Sequence, residues 1–166
     1  MTFQQAILTC IRKYFTFSGR ATRSEYWWFF LFCILGGLLF GAMEGFINGI
    51  TRTQNGPTLL SSAFNIATFI PSLAVGWRRM HDTGRSGFYL FYPLIALIGF
   101  GIFLSMFGEA NVLNGDLSNI SGLFGVIVML SLLVIALSPF IVLYWLTRPS
   151  QPGQNQYGPN PYEVHP

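Results

Sequence analysis

Charged residues are scarce in this chain. They make up 9% of its 166 positions, against about 25% in an ordinary soluble domain. A soluble fold of this size could not cover itself with so few charges and would expose large apolar patches. Cysteine is nearly absent too: Cys10 and Cys33 are the only two, and they suggest small apolar fillers rather than a disulfide framework. No metal-ligand spacing, phosphate-loop motif or nucleophile pattern is present, so no metal or cofactor is expected. The net charge of +3 lacks the dense basic stripe of a nucleic-acid binder, and no nucleic-acid partner is expected.

What fills the space instead is apolar: hydrophobic residues are 52% of the chain. Four stretches are free of Asp, Glu, Lys and Arg over most of their length, at about 26–46, 58–77, 88–107 and 122–146. A helix needs about 20 residues, rising about 1.5 Å each, to cross about 30 Å of hydrocarbon. The expected fold is all-α, one polytopic membrane domain over 1–166 with four transmembrane helices in a bundle. A cleaved signal peptide is the rival reading of the first stretch, but its charge-free run ends at Met43 and Glu44 follows without a small-residue cleavage site.

The basic residues set the expected orientation. Arg12, Lys13, Arg20, Arg23, Arg78, Arg79, Arg85 and Arg148 fall on one side of the four stretches, and only Arg52 on the other. Both termini are therefore expected in the cytoplasm. All four tryptophans and all seven tyrosines share the basic side. The loop from Gly108 to Gly122 carries Glu109 and Asp116 and no basic residue.

Two flanking segments add to the plan. Over residues 3–17, Phe3, Ala6, Ile7, Cys10, Ile11, Tyr14 and Phe15 recur at helical spacing, with Gln4, Gln5, Thr9, Arg12, Lys13 and Thr16 opposite. This predicts an amphipathic helix, either lying in the membrane interface or packed under the bundle. The tail over 149–166 holds five prolines and is expected to be disordered or draped over the cytoplasmic face.

The chain also repeats itself weakly. Arg23-Ser24-Glu25-Tyr26-Trp27 and Arg85-Ser86-Gly87-Phe88-Tyr89 share a pattern, and Pro71 and Pro139 each stand six residues before a tryptophan. One reading is two hairpins of like orientation, the other coincidence of interface composition. Pro71, Pro93 and Pro139 place one proline in each later span, each freeing a carbonyl and favouring a kink. Gly37, Gly41 and Gly45 recur every four residues and suggest a helix-packing ridge.

The candidate site is polar. The segment Trp77 to Gly87, read as a loop, carries Arg78, Arg79, His81, Asp82 and Arg85, and Gly19 to Glu25 adds Arg20, Arg23 and Glu25. Arginine forks bind phosphate, and glycine turns aim N–H groups at anions. Together with Tyr92 these residues are candidates for binding an anionic lipid headgroup or a protein partner. The plainer alternative is internal ion pairing, with Glu25 or Asp82 holding an arginine. A third reading is a lipid-headgroup enzyme with His81 as base and Asp82 as its orienter, though adjacent residues orient each other poorly. A small oligomeric channel or transporter is a further alternative, against which no ionisable residue stands mid-span. Membrane lipids, a second copy or another membrane protein are the partner classes left.

Three segments carry a resemblance: Phe17-Ser18-Gly19-Arg20-Ala21-Thr22-Arg23-Ser24-Glu25-Tyr26-Trp27-Trp28, Arg78-Arg79-Met80-His81-Asp82-Thr83-Gly84-Arg85-Ser86-Gly87, and Pro152-Gly153-Gln154-Asn155-Gln156-Tyr157-Gly158-Pro159-Asn160-Pro161. With them the chain resembles the YhaH/YhaI-like bacterial inner-membrane proteins of unknown function, the DUF805 family, along nearly its whole length. It departs from the family pattern at Asn160, where Asp is usual, and at Phe88, where Trp is frequent. The resemblance implies a bacterial inner membrane and no activity. Because the motifs are distant in sequence yet assigned to one face, the tail is expected to pack on the two arginine-rich segments.

Overall fold

The computed structural model describes residues 1–52, 58–107 and 122–163. The acidic loop with Glu109 and Asp116 lies outside the described residues. Among the described residues, five α-helices follow in order: α1 Phe3–Arg12, α2 Arg23–Thr51, α3 Leu59–Asp82, α4 Tyr92–Phe107 and α5 Gly122–Thr147, with a 3-10 turn Gly87–Phe91 before α4. Among the described residues, four helices are long and apolar enough to cross a membrane: α2, α3, α5 and the Gly87–Phe107 segment. Where the sequence reads as one bundle, the chain forms two compact units, Met1–Gly87 with Pro149–Pro166, and Phe88–Arg148.

The first unit is built on α2 and α3. Phe64 of α3 seats between Phe32 and Phe40 of α2, at ring separations of 5.6 and 5.2 Å. Gly36 makes that seat: a Cβ there would stand 2.2 Å from the Phe64 ring. The close approach thus falls one residue before the expected ridge. A Cβ at Gly37, Gly41 or Gly45 would meet nothing within 4 Å.

The N-terminus of α3 is capped from another helix. Thr58 makes no side-chain cap. The buried Glu44 carboxylate of α2 instead accepts from the Leu60 and Ser61 amides and the Ser61 hydroxyl. A carboxylate there meets orphan N–H groups and the positive end of the helix dipole.

The helix α1 begins at a Thr2/Gln5 capping box. It packs through Ala6 and Cys10, both fully buried, and Phe3 meets Trp28 edge-on at 5.8 Å. Its far end is fixed by the Tyr14 hydroxyl, which donates to the Ala67 carbonyl at 2.8 Å. That carbonyl is the one Pro71 leaves without its i+4 donor. Tyr14→Phe should therefore orphan it and cost about 1–3 kcal/mol, read as a lower melting temperature in detergent. An unchanged melt would show that water serves the carbonyl as well.

The second unit pairs α4 with α5, joined by the stacked rings Phe103 and Phe124 and by Trp145 against Tyr89 and Tyr92. Pro139 in α5 presents the same problem as Pro71, and it is solved locally: the Ser138 hydroxyl donates to Ile135 O at 2.8 Å. Pro93 differs from expectation. It sits at the second residue of α4, where the orphan first turn needs no N–H, so it interrupts no interior bond.

Candidate functional site

The segment read as a loop is mostly helix. Residues Trp77 to Asp82 are the last turns of α3, and Arg78, Arg79, Met80, His81 and Asp82 are all buried. A helix end buried on every side needs partners for charges as well as backbone, and three segments supply them.

The first is the stretch before α2. Gly19 takes φ +84°, turning the chain so that the Ala21 amide donates to Arg78 O at 3.1 Å. Thr22 then caps α2, accepting from the Glu25 amide at 3.1 Å. Glu25 has capping-box spacing from Thr22, but its carboxylate reaches across to Arg78 Nη1 at 2.6 Å. Arg78 is 1% exposed, and its Nε and Nη2 have no hydrogen-bond partner among the described residues. The Cys10 thiol lies beside this pair. Burial, then the Glu25 charge, pushes it up to about 12, so it carries no thiolate near neutrality.

The second segment is α3 itself, where Asp82 is the hub. Its carboxylate accepts from Arg20 Nε at 2.8 Å, from Arg79 Nη1, and from the Ser150 hydroxyl. Asp82 and Arg79 are fully buried. This is a shared carboxylate between two guanidinium groups, and burial makes each partner depend on the others.

The third is the tail, which is ordered over 149–163 and wraps this core. The Gln151 amide donates to Asp82 O at 3.0 Å, and the Asn155 side chain donates to His81 O at 3.0 Å. Arg20 donates to the carbonyls of Gln151 at 2.6 Å, Gly153 at 2.8 Å and Gly158 at 3.4 Å. Tyr157 stacks flat on the His81 ring, centroids 3.8 Å apart. Gly84, at φ +76°, leaves room for Gln151, whose amide a Cβ would strike at 2.4 Å. Asn160 uses its side-chain oxygen to hold the Tyr162 amide at 3.1 Å and its nitrogen to hold Glu163 at 2.7 Å.

The structure thus gathers Arg20, Glu25, Arg78, Arg79, His81 and Asp82 in one core, and uses their charges internally. Arg23 stands at the edge of this core, exposed, with no hydrogen bond or ion pair from its side chain among the described residues. Arg85 is half-buried and donates to Thr83 O at 3.2 Å. Tyr92 belongs to the second unit. No His81–Asp82 dyad forms: His81 Nδ1 sits 3.1 Å from Gly19 O, and both Asp82 oxygens serve other groups. Sequence reasoning missed Ser150, Gln151 and Asn155 as partners of the core, because no pattern in a proline-rich tail marks which carbonyl or amide will face a guanidinium.

These features define a polytopic helical membrane protein with a buried arginine–carboxylate core closed by its own tail. The family described as a protein of unknown function (DUF805) matches residues 14–159, and the chain belongs to that family. It is 36% identical over 103 residues to the inner membrane protein YhaI of Escherichia coli K12, covering 62% of this chain and 82% of YhaI. It is 34% identical over 97 residues to the inner membrane protein YhaH of the same strain, covering 58% of this chain and 78% of YhaH. No solved structure matches.

Proposed function

We propose that this is a non-enzymatic protein of the bacterial inner membrane, with both termini in the cytoplasm, whose cytoplasmic face binds anionic lipid headgroups. The observation that carries the reading is how the cations divide. Arg20, Arg78 and Arg79 are consumed by Asp82, Glu25 and the tail. Arg12, Lys13 and Arg23 are exposed, and their side chains make no ion pair among the described residues. The binding cations of this proposal are therefore these three. The buried arginines build the platform. The inner-membrane names of the two relatives support the location.

Two observations count against the rival readings. Catalysis by His81 has no orienting carboxylate among the described residues, its Nδ1 facing Gly19 O instead, and its ring is covered by Tyr157. A transport path through the second unit gets little support from its groove of about 380 Å³, which is lined by apolar side chains such as Ala96, Phe103 and Leu130 with Ser131 among them.

Native mass spectrometry of the detergent-extracted chain tests the proposal. Each cation near an anionic surface contributes about 1 kcal/mol. Neutralising three, as R12Q/K13Q/R23Q, should weaken retention of added phosphatidylglycerol by about 100-fold. Equal retention by the triple variant and the parent would overturn the proposal.

A further inference from the structure

We infer that Leu8, Ile11 and Phe15 form a ridge that faces lipid, on the side of α1 opposite its packed one. The inference rests on the reading of this chain as a membrane protein, and deepens it by naming the side that faces lipid.

The packing of α1 decides which side that is. Helical periodicity placed one apolar face along the segment, but the structure divides its apolar residues in two. Ala6 and Cys10 face inward and are fully buried. Leu8 and Ile11 lie on the helix at 46% and 51% exposure, and Phe15, in the turn that follows, is 73% exposed. At about 100° per residue, Leu8 and Ile11 lie well over a right angle from the centre of the Ala6–Cys10 pair. A small helix that buries one apolar stripe and displays another has two partners, and the first is already known to be α2 and α3.

Three observations identify the second partner as lipid. The contacts of α1 are to membrane-length helices at both ends: Phe3 on Trp28 of α2, and Tyr14 on the Ala67 carbonyl within α3. Ala67 lies well inside α3, so the end of α1 is tied to a level where the neighbouring surface is apolar and exposed, as at Ile66 and Phe69. The spans that hold α1 thus present exposed apolar surface of their own near its end. Finally, Arg12 borders the ridge on the helix with an exposed side chain, the arrangement in which a long basic stem lies along apolar surface and carries its charge to the headgroups.

The test places a photoreactive benzoylphenylalanine at Leu8, Ile11 or Phe15 of the full chain in inner-membrane vesicles. Gln156, exposed on the tail, serves as control. Irradiation should give phospholipid adducts at all three ridge positions and none at Gln156. Cross-linking of the ridge to a second copy or to another protein would overturn the inference, as would absence of any adduct. The outcome is separable from the headgroup proposal. Lipid adducts on the ridge with no retention of phosphatidylglycerol would sink that proposal and keep this one, and the converse pattern would do the reverse.

Discussion

Asp82→Asn should cost the first unit at least about 3–5 kcal/mol, the penalty for breaking a buried ion pair by removing one partner. Two guanidinium groups, Arg20 and Arg79, would lose their counter-charge together, both in places water does not reach. Proteins are stable by only about 5–15 kcal/mol, so the variant should melt far below the parent or fail to be recovered folded. The tail should loosen first, because Asp82 holds it through Ser150 and positions Arg20 for the carbonyls of Gln151 and Gly153. Protease removal of the tail, followed by mass spectrometry at temperatures below the melt, reads that step. Arg20→Lys separates the two effects. A lysine keeps the charge at Asp82 but lacks the fork that reaches three carbonyls, so it should release the tail at a smaller stability loss. A melt and a cleavage rate equal to the parent's in Asp82→Asn would refute the hub role.

The second large effect is expected at Glu25 and Arg78, with a different signature. Either Glu25→Gln or Arg78→Met alone should destabilise by about 3–5 kcal/mol, since each leaves its buried partner uncompensated. The double variant should recover most of that loss. Arg78 satisfies only part of its fork here, Nε and Nη2 having no hydrogen-bond partner among the described residues, so the pair recoups its desolvation poorly. An apolar replacement of similar volume has no such debt. A double-mutant cycle by thermal or denaturant unfolding in detergent measures the coupling. Additive losses in the double variant would mean that the pair contributes net stability and that its unfilled donors are served in some other way.

These expectations change how the positive motif should be used experimentally. Replacing Arg78 and Arg79 to abolish lipid binding would instead remove the supports of the fold. Effects on a ligand are cleanly read at Arg12, Lys13 and Arg23, where substitution leaves the ion-pair core intact.

Much of this protein was legible in its sequence. The four spans follow from charge-free apolar runs, because a helix in hydrocarbon must satisfy its backbone internally and can tolerate few charges. Meeting of the three motifs was legible as well. A tail with Tyr157 near the arginine segments was expected from their shared side, and the ring stacks on His81. Other residues were misjudged for identifiable reasons. Trp77 to Asp82 read as a loop because three charges and a histidine in six residues break the apolar period. Their burial by α1, α2 and the tail makes the helix continue. Gly36, which no spacing singled out, is the glycine that lies under Phe64, and spacing alone does not fix a helix's rotation. Glu44 was legible only as the charge that follows the first apolar run, whereas it caps the next helix.

The sequence by itself determined that the described residues of this chain hold four membrane-length helices, since hydropathy acts along the chain and needs no partner. Only the tertiary structure decided which arginines are spent inside and which remain outside. That division depends on whether a carboxylate or a carbonyl comes within about 3 Å of each guanidinium, and residues separated by more than fifty positions set that distance.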